Sequence, residues 1–89
     1  MRTLQIYISD DCWSCEESLR IAEETRARFE HVDVELLDLM SEERPDAVFA
    51  APTYVLDGRV ISLGNPSRER LWQQLAQDVE NGQKNGGAP

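Results

Sequence analysis

The chain has two cysteines, Cys12 and Cys15, and only Trp13 and Ser14 lie between them. This spacing constrains the molecule more than any other feature. A structural disulfide in a small secreted domain joins distant segments. A loop this short removes little entropy from the unfolded chain, which argues against a stapling role. Three readings remain: a redox pair, two reduced structural cysteines, or half of a metal site. With one His and no second Cys pair, a four-ligand zinc site within one chain would need carboxylates. The expectation carried forward is a redox pair, without metal or cofactor.

The residues around the pair set its context. Leu4, Ile6 and Ile8 alternate with Gln5 and Tyr7, which predicts a strand over 3–8, ended by Ser9-Asp10-Asp11. Cys15, Leu19, Ala22 and Phe29 then fall near one helical face with Ile21 and Thr25 beside them, predicting an amphipathic helix from about Trp13 to Phe29. Glu16 and Glu17 at its start and Arg26 and Arg28 near its end suit the helix dipole. Redox chemistry requires a thiolate. A first cysteine at a helix N-terminus gains one from the unpaired N–H groups there. Cys12 is therefore the candidate nucleophile and Cys15, one turn on, the resolving thiol.

Downstream, Val32-Asp33-Val34-Glu35-Leu36 predicts a second strand. Ser41 predicts the N-cap of a short helix, with Pro45 tolerable only near its start. Thr53–Leu56 and Arg59–Leu63 are β-rich runs joined by Asp57-Gly58, a type I′ hairpin signal. Pro66 and Ser67 suit a helix start, and Leu71, Trp72, Leu75 and Val79 give its stripe, ending near Asn81-Gly82. Trp72 is assigned to the core and His31 to the surface. The order is β-α-β-(α)-β-β-α: an α/β fold with a four-stranded mixed sheet flanked by helices. Residues 1–80 form one domain. Residues 81–89, with nothing to bury, are expected to be a disordered tail.

Nine Lys and Arg against 17 Asp and Glu give a formal net charge of −8. An acidic surface repels nucleic acid and anionic membranes, so neither is an expected partner. The apolar runs are too short to span a membrane, and Asp10-Asp11 interrupt the apolar start of the chain, so no signal peptide is expected.

A strand, then Cys12-Trp13-Ser14-Cys15 opening a helix, then Ala51-Pro52-Thr53 before a hairpin, then a last helix, resembles the thioredoxin/glutaredoxin superfamily over about residues 3–80. The resemblance implies the thioredoxin fold and a thiol–disulfide oxidoreductase. It also implies that the bond before Pro52 is cis and lies beside the cysteines, and that Ala51 can pair with an extended substrate strand. Substrate-binding residues are then expected at Trp13, Ser14, Ala51, Pro52, Thr53 and Gly64. Trp13 either forms an apolar docking rim or packs back near Pro52.

In length and order the chain is similar to glutaredoxins, yet Trp13-Ser14 matches neither the Gly-Pro of thioredoxins nor the Pro-Tyr of glutaredoxins. Ile6 stands where thioredoxins place a buried Asp. Of the glutathione-binding elements only Gly64 survives. Asp10 and Asp11 replace a basic residue before Cys12, and Asn65-Pro66 interrupt a Gly-Gly. Arg68 and the start of the last helix are the remaining positive features. Asp10, Asp11, Glu16 and Glu17 are expected to form an acidic rim that opposes the Cys12 thiolate, leaving a better reductant than oxidant.

The resulting expectation is a monomeric, cytoplasmic reductant of protein disulfides, supplied with electrons by a reductase or a low-molecular-weight thiol. The alternatives are a glutathione-dependent glutaredoxin and a non-catalytic thioredoxin-like binding module.

Overall fold

Period-two alternation of apolar side chains builds β1 (Arg2–Ile8) as a strand with two different faces. The computed structural model describes residues 2–10 and 12–77. After β1 come α1 (Cys15–Arg28), β2 (Val32–Asp38), β3 (Thr53–Leu56), β4 (Arg59–Leu63) and α2 (Arg68–Ala76). The strand order is β2-β1-β3-β4. β1 and β2 are parallel, whereas β3 runs antiparallel to both β1 and β4. This is the thioredoxin fold in its small form. The expected tail and Val79 lie outside the described residues.

Leu4 and Ile6 of β1, Val32 and Val34 of β2, and Tyr54 and Leu56 of β3 share one buried cluster with Ile21 and Ala22 of α1 and Leu71 and Leu75 of α2. Both helices therefore cover the same face of the sheet. On the other face Tyr7 and Val55 pack with Val48, which comes from the segment between β2 and β3. That segment corrects an expectation: the short helix after Ser41 does not form. Ser41 Oγ does accept from the Glu43 N–H, as an N-cap would. But a helix capped there needs the residue-45 N–H to reach the Ser41 carbonyl, and Pro45 has none. Arg44 N–H takes that carbonyl instead, at 3.3 Å, and the chain continues as turns, with Val48 N–H on the Pro45 carbonyl. The sheet thus has helices on one face and a turn-rich segment against the other.

α1 begins at Cys15 rather than Trp13, and its buried face is Cys15, Ser18, Ile21, Ala22 and Thr25. Leu19, expected inside, is 43% exposed. The stripe contains two hydroxyl residues, and each finds an acceptor: Thr25 Oγ1 donates to the Ile21 carbonyl, and Ser18 Oγ to Asn65 Oδ1. α2 opens as expected, with Ser67 Oγ accepting from the Arg70 N–H at 3.1 Å. Trp72 is half-buried at the edge of the core, its ring 5.5 Å from that of Phe29 with the Arg28 guanidinium 5.4 Å from it.

The hairpin turn has positive φ at both central residues, 51° at Asp57 and 87° at Gly58, as a type I′ turn demands. Asp57 also ties this turn to the start of β1. Its carboxylate accepts from the Thr3 N–H (2.9 Å) and from Arg2 Nε (2.8 Å). The Thr3 N–H first, then the Arg2 guanidinium, hold the Asp57 carboxyl below the usual aspartate range. The native state therefore binds this proton less readily than the unfolded chain. The resulting stability is fully present above about pH 4 and is lost as pH falls through the lowered native value. We expect Asp57→Asn, which keeps a residue tolerant of positive φ, to lower the melting temperature at pH 7. The difference from wild type should shrink as pH drops below about 4, read by circular dichroism melts across that range.

Candidate functional site

The C-terminal ends of β1 and β2 and the start of β3 lie at one end of the sheet, because Ile8 pairs with Asp38 and Tyr7 with Thr53. The loops leaving that end carry the expected site residues. Cys12 lies in the turn between β1 and α1, where its N–H reaches the Ser9 carbonyl and its own carbonyl accepts from the Cys15 N–H at 3.0 Å. Cys12 and Cys15 form a disulfide with Cα atoms 5.3 Å apart. Cys15 is the first residue of α1 and only 5% exposed, whereas Cys12, one turn earlier, is half-buried.

Ser14 is the N-cap of α1 but makes no side-chain capping bond. Its Oγ lies 3.5 Å from Cys12 Sγ instead. Trp13 is 89% exposed, so it does not pack back on the fold. Met40 and Phe49, from the segment between β2 and β3, are 79% and 69% exposed at the same end of the sheet.

The Ala51–Pro52 peptide bond is cis. Pro52 and Thr53 are buried, and Ala51 is half-buried. Gly64 N–H donates to the Pro52 carbonyl at 2.7 Å, so the structure brings those two expected residues together. Thr53 Oγ1 donates to the Ala50 carbonyl, which turns that hydroxyl inward.

Three polar residues at this site escaped the sequence reading. Asn65 Nδ2 donates to the Ser14 carbonyl (2.9 Å), while its Oδ1 accepts from Ser18 Oγ (2.6 Å) and from the Tyr54 hydroxyl (2.8 Å). Burial, more than any charge nearby, pushes the Tyr54 phenol up from its usual range. The available signal was Ser18, one of two hydroxyls inside a helical stripe that is apolar elsewhere.

The charge pattern also departs from expectation. Arg68 pairs with Glu17 and with Glu24 (2.9 Å for the latter), and Glu17 also meets Arg20 at 3.3 Å. The carboxylates of Glu24 and then Glu17 hold the Arg68 guanidinium even more firmly protonated than usual. Glu17 is thus neutralised rather than part of an open acidic rim, and Arg68 is engaged by two carboxylates of α1. Of the other rim residues Asp10 and Glu16 are exposed, and Asp11 lies outside the described residues. Among the described residues no group of three or more His, Cys, Asp or Glu is placed to hold a metal ion. No helix among them is long and apolar enough to cross a membrane.

No protein-family model matches the chain. Two curated proteins, each named "Probable Thioredoxin", do match it. The one from Methanothermobacter marburgensis (strain Marburg) is 27% identical over 82 residues, covering 86% of this chain and 95% of its own length. The one from Methanothermobacter thermautotrophicus (strain Delta H) is 28% identical with the same coverage. These similarities, together with the close Cys12–Cys15 pair, support a thioredoxin-like superfamily for the chain. At the family level, the two similarities and the close cysteine pair support thiol–disulfide redox chemistry. In this thioredoxin-like protein the burial difference separates the two sulfurs. Brief alkylation of the reduced chain should label Cys12 before Cys15, as read by peptide mass spectrometry, and first labelling at Cys15 would reverse their assigned roles.

Proposed function

We propose that this protein reduces protein disulfides by a dithiol cycle in a reducing cytoplasm. The observation that carries the reading is the pair itself: a half-buried Cys12 ahead of α1, covalently partnered by a more deeply buried Cys15 at the helix start. In the cycle the Cys12 thiolate attacks a substrate disulfide, forming a mixed disulfide and releasing one substrate thiolate. Deprotonated Cys15 then attacks Cys12 Sγ, closing the internal disulfide and releasing the second thiolate. Two electrons pass to the substrate, and the two thiol protons end on its sulfurs. A reductase or a low-molecular-weight thiol returns the electrons.

A protein substrate fits the surroundings better than a small anionic thiol. Trp13, Met40 and Phe49 offer exposed apolar area at this end of the sheet, which suits a polypeptide partner. Ala51, with Pro52, Thr53 and Gly64 shaping the rim, offers backbone to an extended substrate segment, and Ser14 lies against the reacting sulfur. Asp10 and Asp11 before Cys12 oppose both its thiolate and an anionic ligand, which favours reductant over oxidant. Arg68, the cation that could have greeted glutathione, is held by Glu17 and Glu24. The working unit is residues 1–80 acting as a monomer.

Insulin reduction tests this reading. Wild type with dithiothreitol should be active. Cys12→Ser should fall to background, and Cys15→Ser should accumulate a mixed disulfide without turnover. Activity indifferent to both substitutions would favour the non-catalytic binding module. With glutathione as the only donor, turnover should be at least about tenfold slower, since one missing charged hydrogen bond costs about 1.5–3 kcal/mol. Rapid glutathione-driven turnover would promote the glutaredoxin alternative.

A further inference from the structure

The turn Cys12-Trp13-Ser14 has few restraints of its own. Trp13 projects into solvent, Ser14 makes no side-chain cap, and the backbone bonds of the turn are local. Among the described hydrogen bonds, one reaches residues 12–14 from elsewhere in the chain, and it comes from Asn65 Nδ2 to the Ser14 carbonyl. Asn65 is itself fixed from several sides. Gly64 before it takes φ 95°, and Pro66 after it restricts its backbone to extended conformations. Its Oδ1 is bound by the hydroxyls of Ser18 and Tyr54, both fully buried. Flipping the amide would set its oxygen against the Ser14 carbonyl, so the donor faces the turn.

We propose that Asn65 is a positioning residue that keeps the Cys12–Cys15 turn closed in the reduced protein, so that Cys15 stays poised to attack Cys12. The inference rests on the proposed dithiol cycle. In the oxidised protein the disulfide already closes the turn. In the dithiol the turn is free to open, and the bond from Asn65 opposes opening. Asn65 thereby raises the effective concentration of Cys15 at Cys12 Sγ. It touches neither sulfur and acts through Ser14, whose hydroxyl also lies against Cys12 Sγ.

The test is the equilibrium constant for disulfide exchange with dithiothreitol, measured on wild type and Asn65→Ala. One net hydrogen bond is worth a factor of about three to ten. The variant's internal disulfide should be easier to reduce by that factor, and tenfold corresponds to about 30 mV for a two-electron couple. The mixed disulfide with a small aromatic thiol should persist longer by a similar factor. A bond that only supported the fold would weaken oxidised and reduced forms alike, leaving this equilibrium constant at its wild-type value while lowering both melting temperatures. That result would overturn the proposal. Should Asn65→Ala not fold, wild type decides the question by NMR. The Asn65 side-chain amide protons should remain protected from exchange after reduction, and loss of protection in the dithiol form would overturn the proposal. Neither readout uses a protein substrate. A wild type inactive on insulin would therefore sink the proposed function while leaving these measurements interpretable.

Discussion

β1 is hydrogen-bonded along both edges, to β2 in parallel and to β3 antiparallel, and the remaining structure is arranged around that strand. A parallel partner cannot be reached by a tight turn, so a crossover must intervene, and α1 supplies it. The crossover leaves from the C-terminal end of β1, which puts the start of α1, and with it Cys15, at that end of the sheet. The antiparallel partner then sets Thr53 opposite Tyr7 and brings the Ala51–Pro52 segment to the same end. One strand's pairing thus brings segments far apart in sequence to the end of the sheet where α1 begins.

Once the apolar residues are buried, the polar groups inside must find partners of their own. Ser18, Thr25 and Thr53 are all fully buried, and each hydroxyl donates to a named acceptor. Among the described residues no buried side-chain nitrogen or oxygen lacks a partner. For Ser18 the partner is a side chain in the loop between β4 and α2, which also takes the Tyr54 hydroxyl. A buried unsatisfied hydroxyl costs on the order of 1–3 kcal/mol, so this demand helps to fix the loop's place. Outside the core, Arg68 joins α2 to α1 through Glu17 and Glu24, sharing its one positive charge between two carboxylates of a surface that carries an excess of them.

Much of this was legible in the sequence where a local rule had no competitor. Asp57-Gly58 demanded a turn with positive φ and formed one, and Ser67 capped the helix it preceded. The alternation of β1 and β2 placed both strands. The helix after Ser41 failed because two local rules conflicted: Ser41 signals a start, and Pro45 lacks the N–H that would propagate it. Leu19 was misplaced because a helical stripe read by hydrophobicity alone prefers a leucine to a serine. The folded chain buries Ser18 because an acceptor waits for it.

Cys12 and Cys15 close together near a helix start were determined by the sequence alone, since covalent spacing and the change of apolar period are local properties. Which charges remain free around them, and what holds their turn, were decided only by tertiary structure. Arg68 lies far along the chain from Glu17 and Glu24, and Asn65 lies as far from Ser14. Such partners meet only after the sheet and its two helices have closed on one core. A one-dimensional pattern records that each side chain can bond, and the fold decides with whom.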